Sequence, residues 1–157
     1  MGNILADTGI LQGTLELPIY YEDTDLSGFV YHANYLKFFE RAREHLLGIK
    51  FLRELFKEGI HFVVSKANLE YRSPAQHGDQ LCLETIGTYS RSPAIVFEQN
   101  AYVLEDGDKK KLAVLGQITI VVLNAQNRPI RMPDIIINRF QLNQPTQKLA
   151  DQESPPW

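Results

Sequence analysis

The 157 residues suffice for one domain with a buried core, and the expectation is a single domain over 1–157, its core spanning about 14–140. With 16 Lys and Arg against 19 Asp and Glu, the formal net charge is −3 and both signs are scattered, which speaks against a nucleic-acid or anionic membrane partner. The one cysteine, Cys82, excludes an internal disulfide and fits a reducing cytoplasm.

No stretch approaches the roughly 20 apolar residues of a membrane helix. The start, Met1-Gly-Asn-Ile-Leu-Ala6, lacks the basic end and apolar centre of a signal peptide, and Ala6 replaces the Ser or Thr of a myristoylation signal. A cytoplasmic protein with no integral membrane segment is expected. Residues 1–12 and the tail from about Asn143, with Pro145, Pro155 and Pro156, read as frayed ends.

Leu15, Leu17, Ile19 and Tyr21 alternate with polar residues and predict a first strand, with Pro18 marking an edge position or a bulge. The strand delivers the chain to a short turn, Asp23–Gly28. Then Tyr35, Phe38, Phe39, Ala42 and Leu46 recur at three- and four-residue steps, predicting an amphipathic helix that Gly48 stops. A short second helix covers Phe51–Glu58 and ends at Gly59.

From there the period is two. His61–Tyr71, Gln80–Tyr89, Ala94–Leu104 and Leu112–Leu123 read as four long strands, the last two joined by a hairpin with Asp106-Gly107 at its centre. Cys82 falls inside such a strand as a small core or sheet residue. Pro133–Phe140 adds a closing helical turn. One long helix and five antiparallel strands sharing a core make an α+β arrangement, most economically a sheet wrapped around the helix.

The stretch Glu22-Asp-Thr-Asp-Leu-Ser-Gly-Phe-Val-Tyr-His-Ala-Asn-Tyr-Leu-Lys-Phe-Phe-Glu-Arg-Ala-Arg-Glu44 carries the chemistry. It puts Asp25 in a turn just before a helix start, where backbone N–H groups lack partners and the helix dipole is positive. A carboxylate beside free N–H donors suits attack on a carbonyl whose oxygen becomes negative, as in acyl transfer. The bland alternative is that Asp23 or Asp25 only caps the turn or helix. His32 follows Asp25 by seven residues, at the expected helix start, and could equally be a capping or buried histidine. His45, His61 and His77 lack metal-ligand spacing and read as surface or sheet-end residues.

The pattern D-x-D-x-x-G-x-V-Y-H-A-N-Y followed by F-x-E-x-A-R resembles the hotdog-fold acyl-CoA thioesterases. The nearest branch groups 4-hydroxybenzoyl-CoA thioesterase with the Tol-Pal-associated YbgC-type enzymes, and the likeness continues through Phe62-Val-Val-Ser-Lys-Ala-Asn-Leu-Glu-Tyr-Arg-Ser-Pro-Ala75. The resemblance implies a curved antiparallel sheet around one long central helix. It also implies an acyl-CoA substrate, hydrolysis without metal or cofactor, and a homodimer or homotetramer.

It matches Asp25, not Asp23, to the catalytic carboxylate, acting as nucleophile or as general base on water. The backbone N–H of His32 would polarise the thioester oxygen, while the His32 imidazole and Tyr21 match site residues. Tyr21 also suits a core tyrosine, and Asn34 and Tyr35 are explained by a cap and a core aromatic. Arg91, with Ser90 and Ser92, falls where relatives contact the coenzyme A nucleotide. Pro93 and Ala94 stand where relatives often have serine, however, and a solvated loop arginine explains Arg91 as well. Arg72 is a further candidate.

There is no glycine-rich phosphate loop, G-x-S-x-G or H-E-x-x-H motif. The D-x-N-P-x-H signature of hotdog hydratases is missing too. A scaffold or binding protein associated with the Tol-Pal envelope machinery, with weak or incidental hydrolysis, stays open as the alternative.

Overall fold

The structure, a computed structural model, describes residues 8–90 and 92–142. Its strands are β1 (Gly9–Pro18), β2 (His61–Tyr71), β3 (Gln80–Tyr89), β4 (Ala94–Glu105) and β5 (Asp108–Leu123). Its helices are α1 (Asn34–Leu47), α2 (Ile49–Lys57) and α3 (Asp134–Leu142). The five strands form one sheet in the order β1-β3-β4-β5-β2, every neighbour antiparallel. β1 and β2 are therefore its edges.

β1 starts earlier than the composition of residues 1–12 predicts. Its register with β3 runs from Pro18↔Gln80 to Gly9↔Tyr89, and Leu11 is fully buried. Gly9 makes this possible, since a Cβ there would lie 2.3 Å from the Tyr89 ring. The strand also ends earlier. After Pro18 the N–H of Ile19 turns to Asp79 O at 2.9 Å, and Tyr21 enters a 3₁₀ turn, Tyr21–Asp23, instead of the sheet. Residues 1–7 and 143–157, expected as frayed ends, lie outside the described residues.

α1 forms over the expected amphipathic stretch and ends where Gly48 takes φ 93°, a left-handed conformation that glycine adopts without a Cβ clash. Its buried Tyr35, Phe38, Phe39 and Ala42 pack on Leu81, Leu83, Ala101, Val103 and Val114 of the sheet. Gly116 lets helix and sheet approach, because a Cβ there would meet the Phe39 ring at 2.8 Å and Gln99 O at 2.9 Å. A second cluster packs Ile136, Ile137 and Phe140 of α3 against Leu11, Tyr89, Phe97 and Ile118. The predicted closing turn is thus a nine-residue helix that covers one end of the sheet.

The β4–β5 hairpin has the expected Asp-Gly centre, with positive φ at both Asp106 and Gly107, and β5 begins at Asp108 rather than Leu112. Cys82 is a nearly buried sheet residue, as expected, and burial pushes its thiol pKa up. One inward position of β4 is polar. Gln99 is fully buried, accepts from Arg43 Nη1 at 2.9 Å, and donates Nε2 to Phe39 O at 2.9 Å and Thr85 Oγ1 at 3.0 Å. Every polar end of the buried amide is used, which offsets its desolvation.

Candidate active site

Two short connections meet at one end of the sheet. The chain after the 3₁₀ turn doubles back through a Thr24↔Val30 bridge, with Asp25 N donating to Phe29 O at 3.1 Å and Gly28 N to Asp25 O at 3.0 Å. Gly28 takes φ 82° to close this turn. The returning segment is fastened to the loop before β3 by Val30 N to Ala75 O at 2.8 Å and by a Phe29↔Gln76 bridge. Asp23 is a turn residue, as expected. Its Oδ2 accepts from Tyr20 N at 2.8 Å, and its carbonyl accepts from Tyr31 N and Asn34 Nδ2, each at 2.9 Å. Asn34 therefore ties the helix to the turn and caps no helix N–H.

Asp25 is exposed, and its two oxygens differ. Oδ1 accepts from the N–H of Ser27 at 2.8 Å and from the Ser27 hydroxyl, while Oδ2 has no partner among the described residues. The Ser27 hydroxyl first and the Ser27 N–H second hold the carboxyl below its ordinary range, desolvation opposes them, and His32 adds the smallest pull downward. Ser27 escaped the sequence reading. The signal for it was the Asp-x-Ser spacing of an Asx-type turn.

α1 begins without a side-chain cap, Ala33 being already helical at φ −71°, ψ −19°. Asn34 N donates to Tyr31 O at 2.9 Å, but the N–H groups of His32 and Ala33 donate to nothing among the described residues. These are orphan donors of a helix start, seven and eight residues after Asp25. The His32 imidazole is exposed and stacks at a tilt on Tyr31, ring centroids 4.6 Å apart. Tyr35 is core, and burial raises its hydroxyl pKa to about 12.

Tyr21 is corrected from strand to turn. Its side chain is 79% exposed, lies edge-on to His77 at 6.1 Å, and bonds to neither Asp25 nor His32 among the described residues. His61 opens β2 at the sheet end, whereas His45 is partly buried in α1 rather than on the surface. Arg72 is ion-paired to Glu70 at 3.0 Å.

Ser90 and Ser92 share a hydrogen bond of 2.9 Å in the β3–β4 turn, and Arg91 lies outside the described residues. That turn follows Tyr89, whereas the Asp25 loop is fastened beside Gln80, so roughly 30 Å of strand separates them at about 3.3 Å per residue. The two groups share no site within one chain. A hollow of ≈ 440 Å³, lined among others by Asn68, Glu70, Glu98, Asn100, Leu115 and Gln117, includes neither Asp25 nor His32. Leu26, Phe29, Tyr31 and Leu36 instead leave an exposed apolar rim around the loop and helix start.

The sequence pattern that defines the thioesterase-like superfamily matches residues 20–140, which include the Asp25 turn, α1 and the whole sheet beyond β1. The chain belongs to that superfamily. Among its relatives, the acyl-CoA thioester hydrolase YbgC of Escherichia coli O6:H1 is 35% identical over 125 residues, 78% of this chain and 91% of the relative. The acyl-CoA thioesterase YbgC of Haemophilus influenzae is 43% identical over 84 residues, 52% of this chain and 62% of the relative.

Solved structures of the superfamily share the fold. A DHNA-CoA thioesterase from Staphylococcus aureus superposes with a TM-score of 0.68 at 27% identity, covering 76% of this chain and 80% of its own. A mutant 4-hydroxybenzoyl-CoA thioesterase complexed with 4-hydroxybenzoyl-CoA gives 0.73 at 20% identity, covering 82% and 98%. The hotdog fold expected from the sequence is the fold of this thioesterase-like chain.

Proposed function

We propose that this chain hydrolyses acyl-CoA thioesters, with Asp25 as the reacting carboxylate and the free His32 N–H as the donor that receives the carbonyl oxygen. One observation carries the reading. Among the described residues, an ionised carboxylate with one oxygen unengaged stands just before a helix start whose first N–H groups have no partner. The thioesterase class follows from the family, and the residue roles are our reading of that geometry.

Two routes use the same atoms. In the first, Oδ2 attacks the thioester carbon, the oxygen becomes an oxyanion facing the His32 N–H, and the C–S bond breaks. Coenzyme A leaves as a thiolate that takes a proton from water, and a second water hydrolyses the anhydride to acid and free Asp25. In the second, Oδ2 takes a proton from a water molecule as its oxygen attacks, and that proton passes to the departing sulfur. Single turnover in ¹⁸O-water distinguishes them, since only the anhydride route can exchange oxygen into Asp25. The His32 imidazole and Tyr21 shape the rim around the thioester, while Ser90, Arg91 and Ser92 hold the coenzyme A nucleotide.

The same reading includes a homodimer or homotetramer in the cytoplasm. Among the described residues β2 is an open edge of 11 residues with Val63 and Val64 exposed, and such an edge invites pairing with a second copy. In the assembly, the strand segment Phe62–Asn68 of one protomer completes the site around Asp25 of its partner. Ser90 and Ser92, remote from Asp25 within one chain, serve with Arg91 a substrate there from another protomer.

The test is a hydrolysis screen with short, long and aromatic acyl-CoAs, comparing the native chain with Asp25→Asn. Turnover of at least one class by the native chain alone supports the proposal. A folded chain that hydrolyses none of them, yet retains envelope proteins in a pull-down, replaces it with the Tol-Pal scaffold reading.

A further inference from the structure

Tyr71 is the last residue of β2, and its hydroxyl donates to the carbonyl of His32 at 2.9 Å. Its half-exposed ring stands edge-on to His32 at 6.2 Å and to the buried Tyr35 at 6.0 Å, which sets it against the start of α1. The bond joins positions 39 residues apart and ties the sheet edge to the turn that opens α1.

The peptide plane explains why that contact matters. The carbonyl of His32 and the N–H of Ala33 belong to one rigid unit, so fixing the oxygen fixes the direction of the N–H opposite to it. The preceding unit is fixed in the same way, because Tyr31 O accepts from Asn34 N at 2.9 Å and leaves the His32 N–H free. Two consecutive peptides at the helix start thus have engaged carbonyls and free N–H groups. A bond accepted by the carbonyl also polarises the N–H of the same peptide and strengthens it as a donor. Among the described residues, the hydroxyl of Tyr71 makes the hydrogen bond that tethers the 32–33 unit to the sheet.

We propose that Tyr71 is a positioning residue for the hydrolysis. Its hydroxyl aligns and polarises the pair of N–H donors, His32 and Ala33, that receive the thioester oxygen. The inference rests on the functional reading above and extends the oxyanion site from one donor to two. Tyr71 itself touches no reacting atom.

Tyr71→Phe keeps the ring and removes only the hydroxyl. The expected result is a fall in kcat of about tenfold, below the hundred- to thousandfold lost when an oxyanion donor is deleted, with KM within about twofold. A short thioester lacking the nucleotide should show the same fall, and the amide resonance of Ala33 should move in ¹⁵N spectra of the folded variant. Placing 4-aminophenylalanine at position 71 restores a donor and should restore most of the rate. If Tyr71→Phe does not fold, 4-aminophenylalanine is compared with 4-methylphenylalanine, which fills the same space without a donor, and equal rates overturn the proposal. Unchanged kcat in folded Tyr71→Phe, while Asp25→Asn is inactive, overturns it and leaves the hydrolase reading standing. Full activity in both variants removes both.

Discussion

At the residue scale the decisive comparison is between two aspartates in one turn. Asp23 spends its carboxylate on Tyr20 N and its carbonyl on Tyr31 and Asn34, whereas Asp25 keeps Oδ2 unengaged among the described residues. Asp25→Asn should therefore lose at least about a hundredfold in kcat/KM, the low end of what a general base supplies, with folding intact. Asp23→Asn should lose far less activity and show its effect in stability, on the order of 1 kcal/mol for a weakened cap. Retained thioesterase activity in folded, assembled Asp25→Asn would falsify both proposed routes.

Ser27 sets when Asp25 is charged. Its hydroxyl is the largest cause of the lowered pKa, so Ser27→Ala should raise the Asp25 pKa toward the ordinary 3.8. The acid limb of kcat/KM then moves to higher pH, and the near-neutral rate changes little, because Asp25 is ionised there in either case. A ¹³C titration of the Asp25 carboxyl checks the direction independently of activity. Arg91→Ala belongs to the same scale. If Arg91 holds a coenzyme A phosphate, the change should raise KM for acyl-CoA and leave kcat and short thioesters unaltered, because that contact is equal in ground and transition states, and an unchanged KM returns Arg91 to a solvated loop.

At the element scale, most of the fold was legible because local pattern and tertiary burial agree. The period-two runs from His61 to Leu123 form β2 to β5, with the start of β5 displaced to Asp108, and the Asp106-Gly107 turn takes the positive φ values it advertises. The misses have tertiary causes. Residues Gly9–Gln12 look too weak for a strand, yet β3 supplies a long template and Tyr89 fills the space over Gly9. Tyr21 continues the alternation of β1 in sequence, but the bond from Ile19 N to Asp79 O ends the ladder before it. Gln99 occupies an inward position that periodicity assigns to an apolar side chain, and only the fold brings Arg43, Thr85 and Phe39 O to it. Gln99→Leu should accordingly destabilise the protein, at about 1–3 kcal/mol for each buried group left unpaired. The urea midpoint should fall with little change in its slope, and an unchanged midpoint would show the network to be dispensable.

At the scale of the whole molecule, the site is legible in part and for a definable reason. The motif Asp25 to Asn34 is local in sequence, so its resemblance to the thioesterase pattern could be recognised there, whereas the Tyr71 bond spans two distant elements and could not. What surrounds Asp25 is less complete. The rim residues Leu26, Phe29, Tyr31 and Leu36 are exposed, the outer side of edge strand β2 has no partner strand among the described residues, and Ser90 and Ser92 sit at the far end of β3. An acyl group needs cover from water, and the exposed edge offers the place where a second copy can provide it. Val63→Lys and Val64→Lys on that edge should therefore shift the chain toward monomer in sedimentation, because charge on an open strand opposes edge pairing. Activity should fall with the loss of assembly and return at protein concentrations that restore it, while Asp25→Asn stays inactive at every concentration. An active monomer at assay concentration would show that one chain covers its own substrate, and would remove the shared site from this account.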